Sequence, residues 1–336
     1  MSGWSTICPP VSARCPPTPT DARAPETVGP VVVSSDVSCV VSNPADPAAT
    51  AACAWSPDRP DACPVVPVRA DEYGDAAALS VVLPIRPRGP RVTGAPLFCL
   101  PGEAALAWSF AGLVACVDPD VPMYGLQAGE SVPRSVRAYA GDLVTEIHRI
   151  APEGPYQLLG WSAGGFVAHE IAALLRAAGA EVSVVLLDSD PATCDVTPSA
   201  RPTVGEFVAG LGVEVATPDL SAAAAAAVLG TALAGTVHLT GADLDRLVDA
   251  AGAATTMLSG HRPSVLPGDL TVCVAGRGPD GTERPDPAAV VRGWRPYVEG
   301  TVTGVVLDGT PAELTAPDLL PELARVLAAA APAVRR

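Results

Sequence analysis

The chain has 336 residues, enough for one large α/β domain with an extension or for two domains, and 49% of them are hydrophobic. Its 21 basic side chains, all arginine, stand against 36 acidic ones, and the net charge of −15 argues against nucleic acid or an anionic membrane surface as a partner. No run of 18 apolar residues and no basic segment followed by an apolar one opens or interrupts the chain, so neither a membrane span nor a signal peptide is expected, and the cytoplasm is the expected location.

Residues 1–78 are rich in Pro, Ala, Ser, Thr and Asp, with Pro-Pro pairs at 9–10 and 16–17 and no sustained periodicity. Such a composition lacks the apolar pattern a packed core needs, and a disordered leader is expected, followed by an ordered domain over 79–336.

Ordered elements begin at Ser80–Arg86. This is an edge strand by expectation, because Pro84 has no N–H to give a second neighbour. Pro96–Leu100 is continuously apolar, as a buried strand is; a helix is expected over about 104–115 and a strand over Val121–Leu126. From Val136, the apolar residues Ala140, Leu143, Val144, Ile147 and Ile150 share one helix face. Tyr156–Leu159 is the next strand, and a helix carrying Val167, Ile171, Leu174 and Leu175 runs to Gly179, a natural C-terminal cap. Val182–Leu187 is again a strand. The alternation of strand and helix implies a mostly parallel sheet covered on both faces. It breaks over about 203–262, which is helical by composition and includes an Ala-rich stretch, Ala222–Gly235, expected to be a helix pair. The alternation resumes with strands at Leu270–Ala275 and Val302–Leu307, a helix near 287–294 between them, and a last helix around Leu319–Leu327. A helical block between two sheet strands is expected to act as a lid over the strands' C-terminal ends.

Between the Tyr156 strand and the helix after it stands Gly160-Trp161-Ser162-Ala163-Gly164, a G-x-S-x-G pattern. In a strand–turn–helix this pattern lifts a serine hydroxyl onto a sharp turn, with small neighbours to permit the tightness. A serine so placed needs an imidazole base, a carboxylate to orient it and N–H donors for the oxyanion. Asp188, at the end of the following strand and 26 residues past Ser162, fits the carboxylate, with Asp190 as a competitor. The N–H of Ala163 is the first oxyanion donor. Trp108 and Trp161 flank the site as pocket or core residues.

The resemblance that joins these features is carried by several motifs in order. They are Pro96-Leu97-Phe98-Cys99-Leu100-Pro101-Gly102, Leu106-Ala107-Trp108, Tyr124-Gly125-Leu126-Gln127, Glu153-Gly154-Pro155-Tyr156-Gln157-Leu158-Leu159 running into the serine turn, and Leu186-Leu187-Asp188-Ser189. With them, residues from about 80 to 330 resemble the thioesterase domains that end non-ribosomal peptide and polyketide synthetases. The resemblance implies an α/β-hydrolase fold with a helical lid and no metal or other cofactor of its own. It implies transfer of an acyl or peptidyl chain from the phosphopantetheine of a carrier protein to Ser162, then release by hydrolysis or cyclisation. It also makes Glu103 N–H the second oxyanion donor.

The chain departs from that pattern at two places. Where the family carries its general-base histidine, the stretch Gly309-Thr310-Pro311-Ala312-Glu313-Leu314-Thr315-Ala316-Pro317 has Pro311. Where the family has two glycines in the oxyanion loop, Glu103-Ala104-Ala105 stand here. The remaining histidines read as a surface residue (His148), a structural residue of the serine helix (His169) and members of the lid and its exit (His238, His261); a lid histidine or Glu313 is a minor candidate for the base. Three functions stay open: a thioesterase with impaired turnover, a catalytically inactive homologue that binds a carrier protein or acyl chain, and an esterase for a small soluble ester, which the resemblance disfavours. A carrier module is not recognisable before residue 80, so a carrier protein acting in trans is expected.

Overall fold

In a computed structural model, residues 80–102, 106–129, 134–195, 197, 200–211, 213, 215, 219–232 and 239–332 are described. The expected leader, Glu103 with Ala104 and Ala105, and His238 lie outside the described residues. Strands β1 (Val82–Arg86), β2 (Leu97–Leu100), β3 (Met123–Leu126), β4 (Tyr156–Trp161), β5 (Val182–Leu187), β6 (Leu270–Ala275) and β7 (Val302–Leu307) form a seven-stranded sheet in the order β1-β3-β2-β4-β5-β6-β7. All neighbours are parallel except β1, which pairs antiparallel with β3 and holds Pro84 at the sheet's edge. The irregularity between Pro84 and Arg86 falls where a proline cannot donate to the ladder.

Side-chain alternation along each strand separates two cores. Phe98, Leu100, Leu158, Val184, Leu186, Val272 and Val274 face one side and pack against helices α1 (Val136–Ile150) and α2 (Ala163–Ala177). Leu97, Cys99, Leu159, Val185, Leu187, Cys273 and Ala275 face the other and pack against Ala107, Phe110 and Leu113. In α1, Ser135 Oγ accepts from Ala138 N–H at 3.2 Å to cap the start, and Val136, Ala140, Leu143 and Ile147 are the buried stripe. Helix α2 is buried on nearly every side, as a helix apolar all round is. It ends on Gly179 (φ +88°), with Gly179 N–H donating to the Arg176 carbonyl and Ala180 N–H to the Leu175 carbonyl, the two bonds of a Schellman ending.

Three helices, α3 (Val204–Gly210), α4 (Ala222–Ala232) and α5 (Gly241–Leu258), intervene between β5 and β6 and build a small core of their own around Val208, Leu229, Leu244 and Val248. Helix α6 (Ala288–Trp294) precedes β7, and α7 (Leu320–Ala330) closes the described chain. This topology is that of the α/β-hydrolase fold.

Two local expectations change. The segment expected to be a helix over about 104–115 is a 3₁₀ helix over Ala107–Ala115. Trp108, Ser109, Phe110 and Gly112 are weak α-formers, and the first turn is fixed from outside: Ala107 N–H donates to Gln127 Oε1 at 3.1 Å, and its methyl lies where a side chain at Gly125 would stand. The Ala-rich stretch expected to be a helix pair runs as one helix, Ala222–Ala232, within the described residues. Among the described residues no helix is long and apolar enough to cross a membrane.

Candidate active site

The C-terminal ends of β4, β5 and β6 lie side by side, since Trp161 pairs with Leu187 and Leu187 with Cys273. Ser162 follows β4 directly and caps α2, with φ 47° and ψ −116°. A non-glycine residue in this region is strained and is retained only where its surroundings enforce it. Here they do: Ser162 N–H donates to the Leu187 carbonyl at 2.8 Å, and the Ser162 carbonyl accepts from Gly165 N–H at 3.0 Å and Ser189 Oγ at 2.8 Å.

The glycines of the turn are required by contact. A Cβ on Gly160 would stand 2.5 Å from Gly165 Cα; one on Gly164 would collide with the Pro101 carbonyl oxygen and stand 2.6 Å from that of Leu100; one on Gly165 would collide with Ser189 Oγ. Ser189 is itself buried, and its carbonyl accepts from Trp294 Nε1 at 2.7 Å, which ties the serine turn to α6. The sequence motif includes Ser189 but gives it no role; nothing in its local pattern points to a clamp 27 residues away in the chain.

Ala163 N–H is the first amide of α2, where the helix leaves its donors without intrahelical acceptors and the macrodipole is positive. Gly102, just past β2, lies close to the serine, for a Cβ on it would come to 3.5 Å from Ser162 Cβ. Glu103, next in the chain, lies outside the described residues.

Asp188 ends β5 with φ 45°, its N–H donating to the Cys273 carbonyl at 2.8 Å. Its carboxylate faces Arg284. The guanidinium binds it as a fork, Nη1 to Oδ1 at 2.7 Å and Nη2 to Oδ2 at 3.0 Å, and Ala275 N–H donates to Oδ1 at 3.2 Å. Asp190, the competing carboxylate, instead accepts from Ala192 N–H at 3.0 Å in its own loop. Arg284 has no motif around it that would have singled it out in the sequence.

Pro311 begins a short 3₁₀ turn, Pro311–Glu313, just past β7. Glu313 is exposed and occupied locally: its Oε2 accepts from Thr310 N–H at 2.8 Å and Thr310 Oγ1 at 3.0 Å, and these bonds hold its carboxyl below the usual range. His148 is exposed on α1. His169 is fully buried in α2, donates Nε2–H to the Tyr297 carbonyl at 3.2 Å and lies 4.8 Å from the Trp294 ring. Its Nδ1 has no hydrogen-bond partner among the described residues. Burial first, and His261 and Arg176 after it, pull its pKa down to about 4 against the opposing pull of Glu170 and the Tyr297 bond. His261 Nε2 lies 3.4 Å from Glu170 Oε1. The buried Glu170 also accepts from Ser264 N–H and Oγ, both at 2.7 Å, so the chain leaving α5 is anchored to the serine helix. Burial pushes the Glu170 carboxyl up, but the nearby His261 and the two bonds from Ser264 outweigh it and leave the pKa at about 2.

A cavity of about 40 Å³ lies between Gly102, Ala163 and Gly164 on one side and Ala250, Ala253, Ala254 and Met257 of α5 on the other. Trp108 packs against both the sheet core and the helical-insertion core, and Trp161 against the sheet core. Among the described residues no group of three or more His, Cys, Asp or Glu is placed to hold a metal ion.

A family model for the thioesterase domain matches residues 95–330. Among curated proteins, the chain is 31% identical over 268 residues to a dimodular nonribosomal peptide synthase of Bacillus subtilis, covering 75% of this chain and 11% of that protein. It is 44% identical over 117 residues to malpinin synthetase of Mortierella alpina, covering 33% of this chain and 2% of that protein. The chain thus spans 11% or less of the length of these two relatives. A solved four-domain nonribosomal peptide synthetase bound to AMP and glycine shares its fold, with a TM-score of 0.61 at 20% identity over 75% of this chain and 20% of that one. Because the family model takes in 95–330, well over half of the 336 residues, the chain belongs to the thioesterase domain family.

Proposed function

We propose that the chain releases an acyl or peptidyl group from the phosphopantetheine thioester of a carrier protein, supplied in trans in the cytoplasm, during nonribosomal peptide or polyketide synthesis. The observation that carries this reading is the strained Ser162 at the N-terminus of α2, held by Leu187, Gly165 and Ser189. The names of the relatives support the substrate class.

In this reading Ser162 Oγ attacks the thioester carbonyl, the C–S bond breaks, and the pantetheine thiol departs with the proton that the serine gives up. Water or a nucleophile within the chain then attacks the ester, the bond to Oγ breaks and Ser162 regains a proton. Ala163 N–H stabilises the oxyanion, Glu103 N–H is the second donor that the family resemblance implies, and Asp188 is the acid of the site. Pro311, where the family resemblance puts the base, has no side-chain proton acceptor, and in this reading solvent carries the proton in both steps. No cofactor is called for; the reacting sulfur belongs to the partner's pantetheine. The cavity of about 40 Å³ between the serine turn and α5 has room for water, and this reading has the acyl chain enter from its open side along α5.

Loss of a triad imidazole costs about 10⁶ in kcat and leaves about 10³–10⁴ over water. That corresponds to about 8 kcal/mol of activation free energy. With an acyl-pantetheine thioester, turnover is therefore expected at a low rate of that order over the buffer reaction and absent in Ser162→Ala. A rate unchanged by Ser162→Ala overturns the reading. The second reading, an inactive homologue that binds a carrier protein or acyl chain, is favoured by the engagement of Asp188 with Arg284. Carrier binding with no Ser162-dependent turnover selects it.

A further inference from the structure

Arg284 lies in the loop after β6, 96 residues from Asp188 in the chain. That loop is fixed by its own bonds. Gly278 N–H donates to the Thr282 carbonyl at 2.7 Å, Gly281 N–H donates to the Gly278 carbonyl at 2.9 Å, and Asp280 Oδ1 accepts from Thr282 N–H and Oγ1. Arg277 is tied to Asp308 past β7 at 2.8 Å, and Arg284 N–H donates to the Gly276 carbonyl at 2.8 Å. The Arg284 backbone is thus pinned to the end of β6 before its side chain reaches Asp188. The fork that follows matches a planar guanidinium to a planar carboxylate, the geometry that gives such pairs their strength. The Asp188 side chain is 10% exposed and that of Arg284 22%, so water screens the pair only in part.

This occupancy bears on what Asp188 can do. In a serine triad the carboxylate accepts from an imidazole and stabilises the imidazolium as it forms. A carboxylate whose two oxygens already hold a guanidinium offers a new imidazolium little net negative charge, and the two cations repel each other. We propose that Arg284 has taken, at Asp188, the place of the absent imidazole. It is a positioning residue that holds Asp188 as a neutralised, fixed pair, so Pro311 is only one of two coupled changes that separate this site from a working triad. The inference rests on the reading of Ser162 and Asp188 as nucleophile and acid. Arg284 also borders an open groove lined by Arg277, Glu283, Pro285 and Asp308, so shortening it removes no packed core.

The test compares wild type, Pro311→His, Arg284→Ser and the double variant, with thermal melts to confirm folding and Arg284→Gln in place of Arg284→Ser if the latter unfolds. One readout is the low-field proton NMR signal of an imidazole N–H bonded to a carboxylate. The other is the rate at which an alkyl fluorophosphonate labels Ser162 as a function of pH; the O–P bond forms, the P–F bond breaks, and fluoride and the serine proton leave. The double variant is expected to show the NMR signal and to label about 10²-fold faster than wild type. Its rate should rise through an imidazole titration near pH of about 6.5. Pro311→His alone should show no such signal and less than a tenth of that gain. A signal and a gain in Pro311→His equal to those of the double variant overturn the proposal, as does a folded double variant without the signal. If no variant labels, Ser162 is not the nucleophile, and the NMR comparison still decides the role of Arg284.

Discussion

Gly164→Ala is expected to cost about 3 kcal/mol or more, because the added methyl meets carbonyl oxygens of Leu100 and Pro101 that belong to backbone and cannot rotate away. For a domain of this size that is a Tm loss of about 6–12 °C. The methyl also pushes the start of α2 off β2, and Ser162 with it; a displacement of about 1 Å is enough to lower reactivity about 10²-fold. Gly141→Ala is the matched control. Gly141 lies exposed inside α1, and a Cβ added there would meet nothing within 4 Å. Alanine there should stabilise by about 1 kcal/mol through helix propensity alone. Differential scanning of the two variants beside wild type gives opposite signs if the turn is packed as described, and equal small shifts if it is not.

Acid should unfold the protein in two stages that have assignable groups. His169 has its pKa depressed by burial from 6.5 to about 4, so the unfolded chain takes up a proton that the folded one refuses. Stability therefore falls as pH drops from about 6.5 to about 4, by about 3 kcal/mol. Glu170, held at about 2 against an ordinary 4.5, contributes stability that is complete above the unfolded value and lost as pH falls through the folded one. Its share is also about 3 kcal/mol, lost between about pH 4.5 and 2. His261 at 3.4 Å and Arg137, whose Nε is 3.7 Å from Glu170 Oε2, are the basic groups that face this carboxylate. Melting curves across this range should show His169→Gln flattening the upper stage and Glu170→Gln the lower. A wild-type Tm constant between pH 7 and 4 would refute the assignment of His169. Because Ser264 hangs on Glu170, the lower stage also loosens the exit of α5 from the serine helix.

What the sequence made legible follows from how local each signal is. The apolar runs of β2, β5 and β6, the edge position of Pro84 and the cap at Gly179 are each written within a few residues, and all appear in the fold. The turn glycines were legible as a pattern, but their partners were not: the atoms that exclude a side chain at Gly164 belong to the end of β2 and the loop after it, and those at Gly165 to Ser189. The 3₁₀ segment at Ala107–Ala115 was missed because its first turn is set by Gly125 on β3 and Gln127 just past it, and not by its own periodicity. Arg284 was invisible for the same reason. It is one arginine in a chain whose 21 basic residues are all arginine, and only the meeting of the β5 and β6 ends brings it to Asp188. The sequence therefore offered Pro311 as a departure at the expected base position, while the pairing of Asp188 with Arg284 required the tertiary structure.

The central test is whether Ser162 forms a covalent bond to an acyl group. Both acylation and deacylation call for a base, so an acyl-enzyme that forms slowly should also persist. Intact-mass spectrometry of the full chain after incubation with an acyl-pantetheine thioester measures this directly. One acyl group per chain on wild type, mapped to the peptide containing Ser162 and missing from Ser162→Ala, is the predicted result. An unmodified wild-type chain, or equal modification of Ser162→Ala, would contradict the account.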